Sequence, residues 1–590
     1  MITSTRPALS DLNVIVAGQG GDGSLTVANV IADLLREMHF NIYTERDVMS
    51  RIKGGAASAA LRASRCERYG LGDQVQLLVA FDASGIHNAA ERLSAGALVV
   101  YDDSDGPLPS GVLPECVDVA TAPFARMAVG ELSRPIYKSS IAIGFTAHAL
   151  GLAESATHDA VTRRFERLGP TLLEANLRAV DMGFELARDR NAQASYELQA
   201  GAAAAKPRLE ISGNDALAFG FLVAGGRFFA GYPITPATEI MLWLDKHLPR
   251  FGGIVRQVED ELAAVNMAIG AALAGVRSMT ATSSPGFALM QEGISQAGSG
   301  EIPLVVVNVQ RGGPSTGLPT KPEQSDLEMI VYGGNGEYPR IVLTPGDPSD
   351  CFTLAVDACN LAERFQCPVI LALDQPTGQN MATIPPFDLD NVEIDRGKRL
   401  DASSIAQLDV YKRYAMTADG VSPYAVPATP GGLFLVTGNE HDEFGRVSTN
   451  AGNRVRMVEK RQRKLDQAMA QGQLPAGRCV GEPGAEVGLI GVGAMFGPLT
   501  EAVERLSAQG VSAALLQPRT VWPVLPETIE FVRQHQRVYV VEQNSTAQLR
   551  KMLVSEGADG SRIESVLRFD GRPMRAGTIV DAVLGEGGAQ

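Results

Sequence analysis

A threonine held between two prolines is the first residue of this chain placed to do chemistry. In Gly231-Tyr232-Pro233-Ile234-Thr235-Pro236-Ala237-Thr238-Glu239 each proline fixes its own φ and biases the residue before it toward extended geometry. Ile234 and Thr235 therefore have little freedom to fold away. An apolar run precedes the stretch, and Glu239-Ile240-Met241-Leu242-Trp243-Leu244 reads as a helix start. Thr235 is thus expected where a strand gives way to a helix, the edge at which open α/β sheets bind ligands. A corner shaped only by its prolines explains the same residues.

Arg311 stands at a second such corner. The apolar run Ile302–Val309 predicts a strand, and it ends in Gln310-Arg311-Gly312-Gly313-Pro314-Ser315-Thr316-Gly317-Leu318-Pro319-Thr320. That loop sets glycine, proline and hydroxyls around one guanidinium, a planar fork for a carboxylate or a phosphate. At a third corner Glu259-Asp260-Glu261 opens a helix with Leu262, Val265, Ile269 and Leu273 at helical spacing. Acids in a first turn suit the helix dipole, so capping accounts for them equally well.

Two glycine turns add an anion-binding pattern. Leu12–Ala17 reads as a strand, Gly18-Gln19-Gly20-Gly21-Asp22-Gly23-Ser24 as a turn, and Leu25–Met38 as a helix. Backbone N–H groups at such a helix start favour phosphate, and a tight strand-to-helix turn reads identically. Ser50-Arg51-Ile52-Lys53-Gly54-Gly55-Ala56 places two cations beside flexible backbone, as a solvated loop also would.

The elements that must position these residues alternate between strand and helix, which predicts parallel sheets with helices on both faces. Three domains are expected at about 10–190, 208–390 and 485–590, with a linker at 191–207 and a less regular connection at 391–484. In the first, strands are expected at Gln76–Phe81 and Ala97–Tyr101 and helices over 136–150 and 159–188. The linker is small and polar without amphipathic period. The connection holds a basic helix, Arg454 to Lys464, read as solvated or facing a partner.

Composition narrows the classes. A 590-residue chain with net charge −15 is no general binder of nucleic acid or anionic membranes. No apolar run approaches the roughly 20 residues of a membrane span. The first residues show no basic-then-apolar leader, so the expected address is the cytoplasm. The six cysteines form no Cys-x-x-Cys pair, so no iron–sulfur cluster or metal site is expected in this chain.

Together the three corners resemble the 2-oxoacid:ferredoxin oxidoreductases. The resemblance is carried by Tyr232-Pro233-Ile234-Thr235-Pro236, by Val258-Glu259-Asp260-Glu261 through Thr280-Ala281-Thr282-Ser283, and by Gln310-Arg311-Gly312-Gly313-Pro314-Ser315-Thr316-Gly317. It covers almost the whole chain. The implied fold is α/β with three doubly wound domains: a γ-type domain fused ahead of an α subunit, a thiamine-diphosphate pyrimidine-binding domain, and a transketolase C-terminal-like domain.

The resemblance implies roles. Glu261 is the catalytic carboxyl that hydrogen-bonds the aminopyrimidine of thiamine diphosphate, with Glu259 as runner-up. Tyr232, Pro233, Ile234 and Thr235 line the cofactor. Thr235 meets the 2-oxoacid, Arg311 takes its carboxylate, and Thr320 supports it. Gly18, Gly20, Gly21, Lys53, Gly54 and Gly55 form the weakest expected site, for coenzyme A phosphates, because Asp22 stands where the γ pattern commonly has Gln. Gly21-Asp22-Gly23 is not the diphosphate motif, since no Asn pair follows it. A β subunit is implied to supply the diphosphate-binding half with Mg2+ and a [4Fe-4S] cluster, in an (αβ)2 assembly that passes electrons to ferredoxin or an electron-transfer subunit. The implied reaction is CoA-acylating oxidative decarboxylation, with 2-oxoglutarate favoured over pyruvate, branched or aryl 2-oxoacids. A non-redox thiamine enzyme and a decayed scaffold subunit are the alternatives.

Overall fold

The computed structural model describes residues 6–48, 56–201 and 208–585. They form two compact units. The first holds the chain up to Glu210 together with Asn380–Pro386, and the second holds Ile211–Gln379 and Phe387 onward.

In the first unit the strand Asp11–Gln19 pairs in parallel with Val75–Ala80, which is followed outward by Leu93–Asp102 and Asp118–Ala122, also parallel. Its residues alternate between two cores. Val14 and Val16 face one, Ile15 and Ala17 the other, the period of two that a sheet buried on both faces requires. The expected all-parallel sheet occupies only this half. On the other side Ala56–Ser64 and Asn41–Val48 run antiparallel to their neighbours, and Met381–Ile384 adds a further antiparallel strand. The helix expected over 159–188 is two, Glu154–Phe165 and Pro170–Asp189. Gly169, at φ +91°, and Pro170 at the first helical position break and restart it. Lys53, Gly54 and Gly55 lie outside the described residues, as do residues 202–207 of the expected linker.

The second unit is built on two sheets. A seven-stranded sheet takes the order Ile254–Gln257, Phe228–Gly231, Ser278–Thr282, Leu304–Gln310, Pro368–Asp374, Ile341–Leu343, Thr520–Trp522, and only the last strand is antiparallel. Every residue of Leu304–Gln310 is buried, as expected of a central parallel strand covered on both faces. A five-stranded sheet takes the order Arg478–Gly481, Ala513–Gln517, Val487–Ile490, Arg537–Glu542, Ile563–Leu567, with the first strand antiparallel. One apolar core joins Val306, Val342 and Ile370 of the larger sheet to Ile490, Leu516 and Val540 of the smaller.

The basic helix corrects its expectation. It runs Ala451–Ala470, and Lys460 and Lys464 are fully buried rather than solvated or facing a partner. Both ammonium groups meet the carboxylate of Glu301, each at 2.5 Å. Arg413 binds the Glu301 carbonyl at 2.6 Å. Burial would raise the Glu301 pKa, but Lys460, Lys464 and Arg413 hold it well below the usual carboxylate range. Burial draws Lys460 down to about 8, against the opposing pull of Glu301. The helix fastens the irregular connection to the second unit through buried charge.

Candidate active site

The parallel strands of the larger sheet end within about three residues of one another in register. Gly231 pairs with Gln257, Thr282 with Asn308, and Gln310 with Asp374. The segments that follow those ends carry Thr235, Glu261 and Arg311, so one sheet edge collects all three.

Thr235 is half-buried in the turn between Phe228–Gly231 and the helix Thr238–His247. The turn is held at two successive carbonyls. Arg311 Nη1 donates to the Thr235 oxygen at 2.5 Å, and Asn214 Nδ2 donates to the Pro236 oxygen at 2.8 Å. Pro233 and Ile234 are half-buried, and Tyr232 is 42% exposed.

Arg311 is 5% exposed, and no carboxylate pairs with it among the described residues. Its Nε is buried without an acceptor. Burial lowers its pKa, and Asp326 opposes that shift. A desolvated cation with an unused N–H is costly unless an anion completes it. The loop after it turns back: Gly312 N donates to the Lys321 oxygen at 3.0 Å and Leu318 N to the Gly312 oxygen at 2.8 Å. Thr320, half-buried, lies one residue before Lys321, where the loop returns to its own start.

The capping alternative for the acids at 259–261 is resolved by division of labour. Asp260 is the cap, accepting from Ala263 N at 2.7 Å. Glu259 is exposed. Glu261, the first residue of the helix, is 5% exposed, and no hydrogen-bond or ionic partner reaches its carboxylate among the described residues. It lies against the start of the helix Ser284–Ser299. A Cβ on Gly286 would fall 2.4 Å from Glu261 Oε1 and 2.1 Å from Thr282 Oγ1, so no larger residue fits without displacing them.

Sequence reasoning missed two acids beneath this edge. Asp326 is buried, accepts from Asn308 Nδ2 at 3.0 Å, and its own N–H donates to Gln310 Oε1 at 3.1 Å. Burial raises its pKa against the opposing pull of Ser284 and Asn308. Asp374 ends the central strand Pro368–Asp374 and accepts from Gln324 Nε2 at 2.7 Å and Ala494 N at 2.8 Å. The polar ending of an otherwise apolar strand was the available signal.

The glycine turn of the first unit is closed by its own acid. Asp22 accepts from Gln19 N at 2.9 Å and from Lys138 Nζ at 2.7 Å. Asp22 thus occupies one amide of the turn, and its charge, met in part by Lys138, would oppose a phosphate placed beside it.

Comparison with known proteins agrees with this architecture. Three family models match in order: pyruvate ferredoxin/flavodoxin oxidoreductase over residues 13–186, the thiamine diphosphate-binding pyruvate flavodoxin/ferredoxin oxidoreductase region over 220–460, and the transketolase C-terminal domain over 478–555. The alpha subunit of 2-oxoacid:ferredoxin oxidoreductase 1 from Aeropyrum pernix is 32% identical, with 97% of each chain covered. The 2-oxoglutarate oxidoreductase subunit KorA of Mycobacterium tuberculosis is 29% identical over 91% of this chain and 86% of its own. A solved 2-oxoglutarate:ferredoxin oxidoreductase from Magnetococcus marinus, with 2-oxoglutarate, coenzyme A and succinyl-CoA bound, superposes with a TM-score of 0.92 at 34% identity, covering 98% of this chain and all of that one. No described helix is long and apolar enough to cross a membrane. With three domains in the family's order and a relative matched nearly end to end, this chain belongs to the alpha subunits of the 2-oxoacid:ferredoxin oxidoreductases, thiamine-dependent oxidoreductases of several subunits.

Proposed function

We propose that this subunit serves the CoA-acylating oxidative decarboxylation of 2-oxoglutarate. One 2-oxoglutarate, one CoA and two oxidised ferredoxins become succinyl-CoA, CO2, two reduced ferredoxins and a proton. The observation that carries the reading is the buried, unpaired guanidinium of Arg311 beside Thr235. A 2-oxoacid offers a carboxylate for the guanidinium next to a polarised carbonyl for the hydroxyl, and Thr320, on the same loop as Arg311, is assigned to support the pair. The likeness to the Magnetococcus marinus enzyme, named for 2-oxoglutarate, supports choosing that acid over pyruvate or branched and aryl 2-oxoacids.

The residues present fit thiamine diphosphate. Glu261 keeps a buried carboxyl with no protein partner, and glycine at 286 lets that carboxyl lie close against the start of the helix Ser284–Ser299. When bound, the cofactor supplies the nucleophilic carbon and the electron sink. Glu261 holds a proton against the ring nitrogen of the aminopyrimidine, which is general acid–base work typically worth about 10²–10⁴-fold. Tyr232, Pro233 and Ile234, in the turn after Phe228–Gly231, are assigned with Thr235 to line the cofactor. Glu261 is the only acid of its trio in this position, because Asp260 is committed to the cap and Glu259 faces solvent.

The diphosphate half of the site, its Mg2+ and a [4Fe-4S] cluster belong in this reading to a β subunit, in an (αβ)2 assembly that delivers electrons to ferredoxin or a dedicated electron-transfer subunit. The Gly18–Gly23 loop remains in this reading a candidate for coenzyme A phosphates, although Asp22 takes the Gln19 amide there. Anaerobic viologen reduction by the natively purified complex, with CoA and a panel of 2-oxoacids, tests the whole proposal. Reduction with 2-oxoglutarate alone is expected. Preference for another 2-oxoacid would overturn the substrate, and no reduction with any acid, given intact clusters and added thiamine diphosphate, would overturn the activity.

A further inference from the structure

We propose that Gln324 is a positioning residue for the substrate clamp, and that through it the C-terminal sheet, which supplies no side chain to the clamp, sets substrate affinity. The inference rests on the assignment of Arg311 and Thr320 given above. The loop from Arg311 to Asp326 carries both residues. Its near end is fixed where Arg311 reaches the Thr235 carbonyl. Its far end is fixed by Gln324, which is 3% exposed.

All four polar groups of Gln324 are used. Nε2 donates to Asp374 Oδ2 at 2.7 Å and to the Val492 oxygen at 2.9 Å. Oε1 accepts from Gln543 N at 3.1 Å, and the Gln324 N–H returns a bond to the Gln543 oxygen at 2.7 Å. The Gln324 carbonyl accepts from Asn544 Nδ2 at 3.1 Å. These partners follow or end three strands from two sheets: Pro368–Asp374, Val487–Ile490 and Arg537–Glu542.

A side chain so placed does more than fill space. Replacing one partner of a buried hydrogen-bonded network leaves the others unpaired, so the network relaxes as a unit. Here the segment free to relax is the loop from Arg311 that carries Thr320. Glu261 lies on a different helix, outside this network, so its carboxyl should keep its place when Gln324 changes. The two halves of the site are therefore separable by experiment: cofactor binding should not respond to Gln324, and 2-oxoacid binding should.

The test uses the assembled complex with Gln324→Leu, which keeps the volume and removes every side-chain bond. The milder Gln324→Asn is read in its place if the leucine variant does not assemble. The expected result is a rise in KM for the 2-oxoacid of roughly 10- to 100-fold, the range for a misplaced binding group. The kcat should stay within about threefold and thiamine diphosphate affinity should not change. Hydrogen exchange should quicken at the Leu318 and Lys321 amides, which close the loop. An unchanged KM, or a fall in kcat that tracks loss of cofactor, would overturn the proposal and leave Gln324 a fastening residue only. Arg311→Ala run alongside separates the two inferences. If it raises KM while Gln324→Leu does not, positioning alone fails; if neither does, the clamp itself is wrong.

Discussion

The guanidinium of Arg311 donates to the carbonyl oxygen of Thr235 at 2.5 Å, across 76 positions of sequence. That single bond joins the two strand-end segments that would face a 2-oxoacid, and it leaves the Arg311 Nε unused. Arg311→Ala is therefore expected to lower kcat/KM by about 2–4 kcal/mol, mainly through KM, as loss of a charged hydrogen-bonded pair does. Steady-state kinetics over a range of 2-oxoacid concentrations measures this, and an unchanged KM would show that the carboxylate binds elsewhere.

Glu261→Ala should abolish turnover while the subunits still assemble, because the carboxylate makes no bond that holds the fold. A loss of about 10²–10⁴-fold or more is expected for a positioned proton-transfer group. Native mass determination checks assembly, and viologen reduction checks activity. Full retained activity would remove Glu261 from the mechanism.

Gly286→Ala probes the same carboxylate from the opposite side. The added methyl would approach Glu261 Oε1 to 2.4 Å and Thr282 Oγ1 to 2.1 Å, so both must move. Misplacement on this scale costs roughly 10²-fold in rate. The expected signature is weaker binding of thiamine diphosphate together with lower kcat. Wild-type values for both would mean that the space between the two helices is not used.

Glu301 predicts an acid signature in stability. Its carboxyl sits below the ordinary value of 4.5 because Lys460, Lys464 and Arg413 outweigh burial. A group shifted in that direction contributes stability that is fully present above pH 4.5 and is lost as pH falls toward its folded value. Glu301→Gln should destabilise by about 3–5 kcal/mol near neutrality, since two ammonium groups are left buried and unpaired. The gap to wild type should then narrow as pH falls below 4.5. Denaturant unfolding at several pH values measures both, and a gap independent of pH would refute the assignment.

The corners that carry Thr235, Glu261 and Arg311 were legible because their signals are local: prolines around one threonine, acids in a first helical turn, glycines after an apolar run. The strands Val75–Ala80 and Leu93–Asp102 fall on the expected Gln76–Phe81 and Ala97–Tyr101 for the same reason. Asn41–Val48 was not legible. Its Thr44-Glu45-Arg46-Asp47 reads as polar loop, and its pairing to Ala56–Ser64 makes it a strand. Ala56–Ser64 is alanine-rich with no β-branched residue, so tertiary pairing overrides propensity there. The burial of Lys460 and Lys464 was equally hidden, because their partner Glu301 lies 159 positions from Lys460. Gln324 gave no signal at all: a lone glutamine is unremarkable until its partners, at the ends of three distant strands, are known.

The strand Met381–Ile384 means that the first unit is discontinuous in sequence. Ile42 N donates to Thr383 Oγ1 at 2.9 Å, and Asn380 Nδ2 donates to the Tyr43 hydroxyl at 2.8 Å. A fragment ending at Gly201 would lack that strand and bare the hydrogen-bonding rim of Asn41–Val48, a template for intermolecular pairing. Cutting the chain between the N-terminal unit and Ile211 would thus produce not two independent pieces but a nicked protein, with a short tether from the downstream piece still threaded into the upstream one. Anyone excising the N-terminal unit for separate work would need to graft residues 380–386 back onto it.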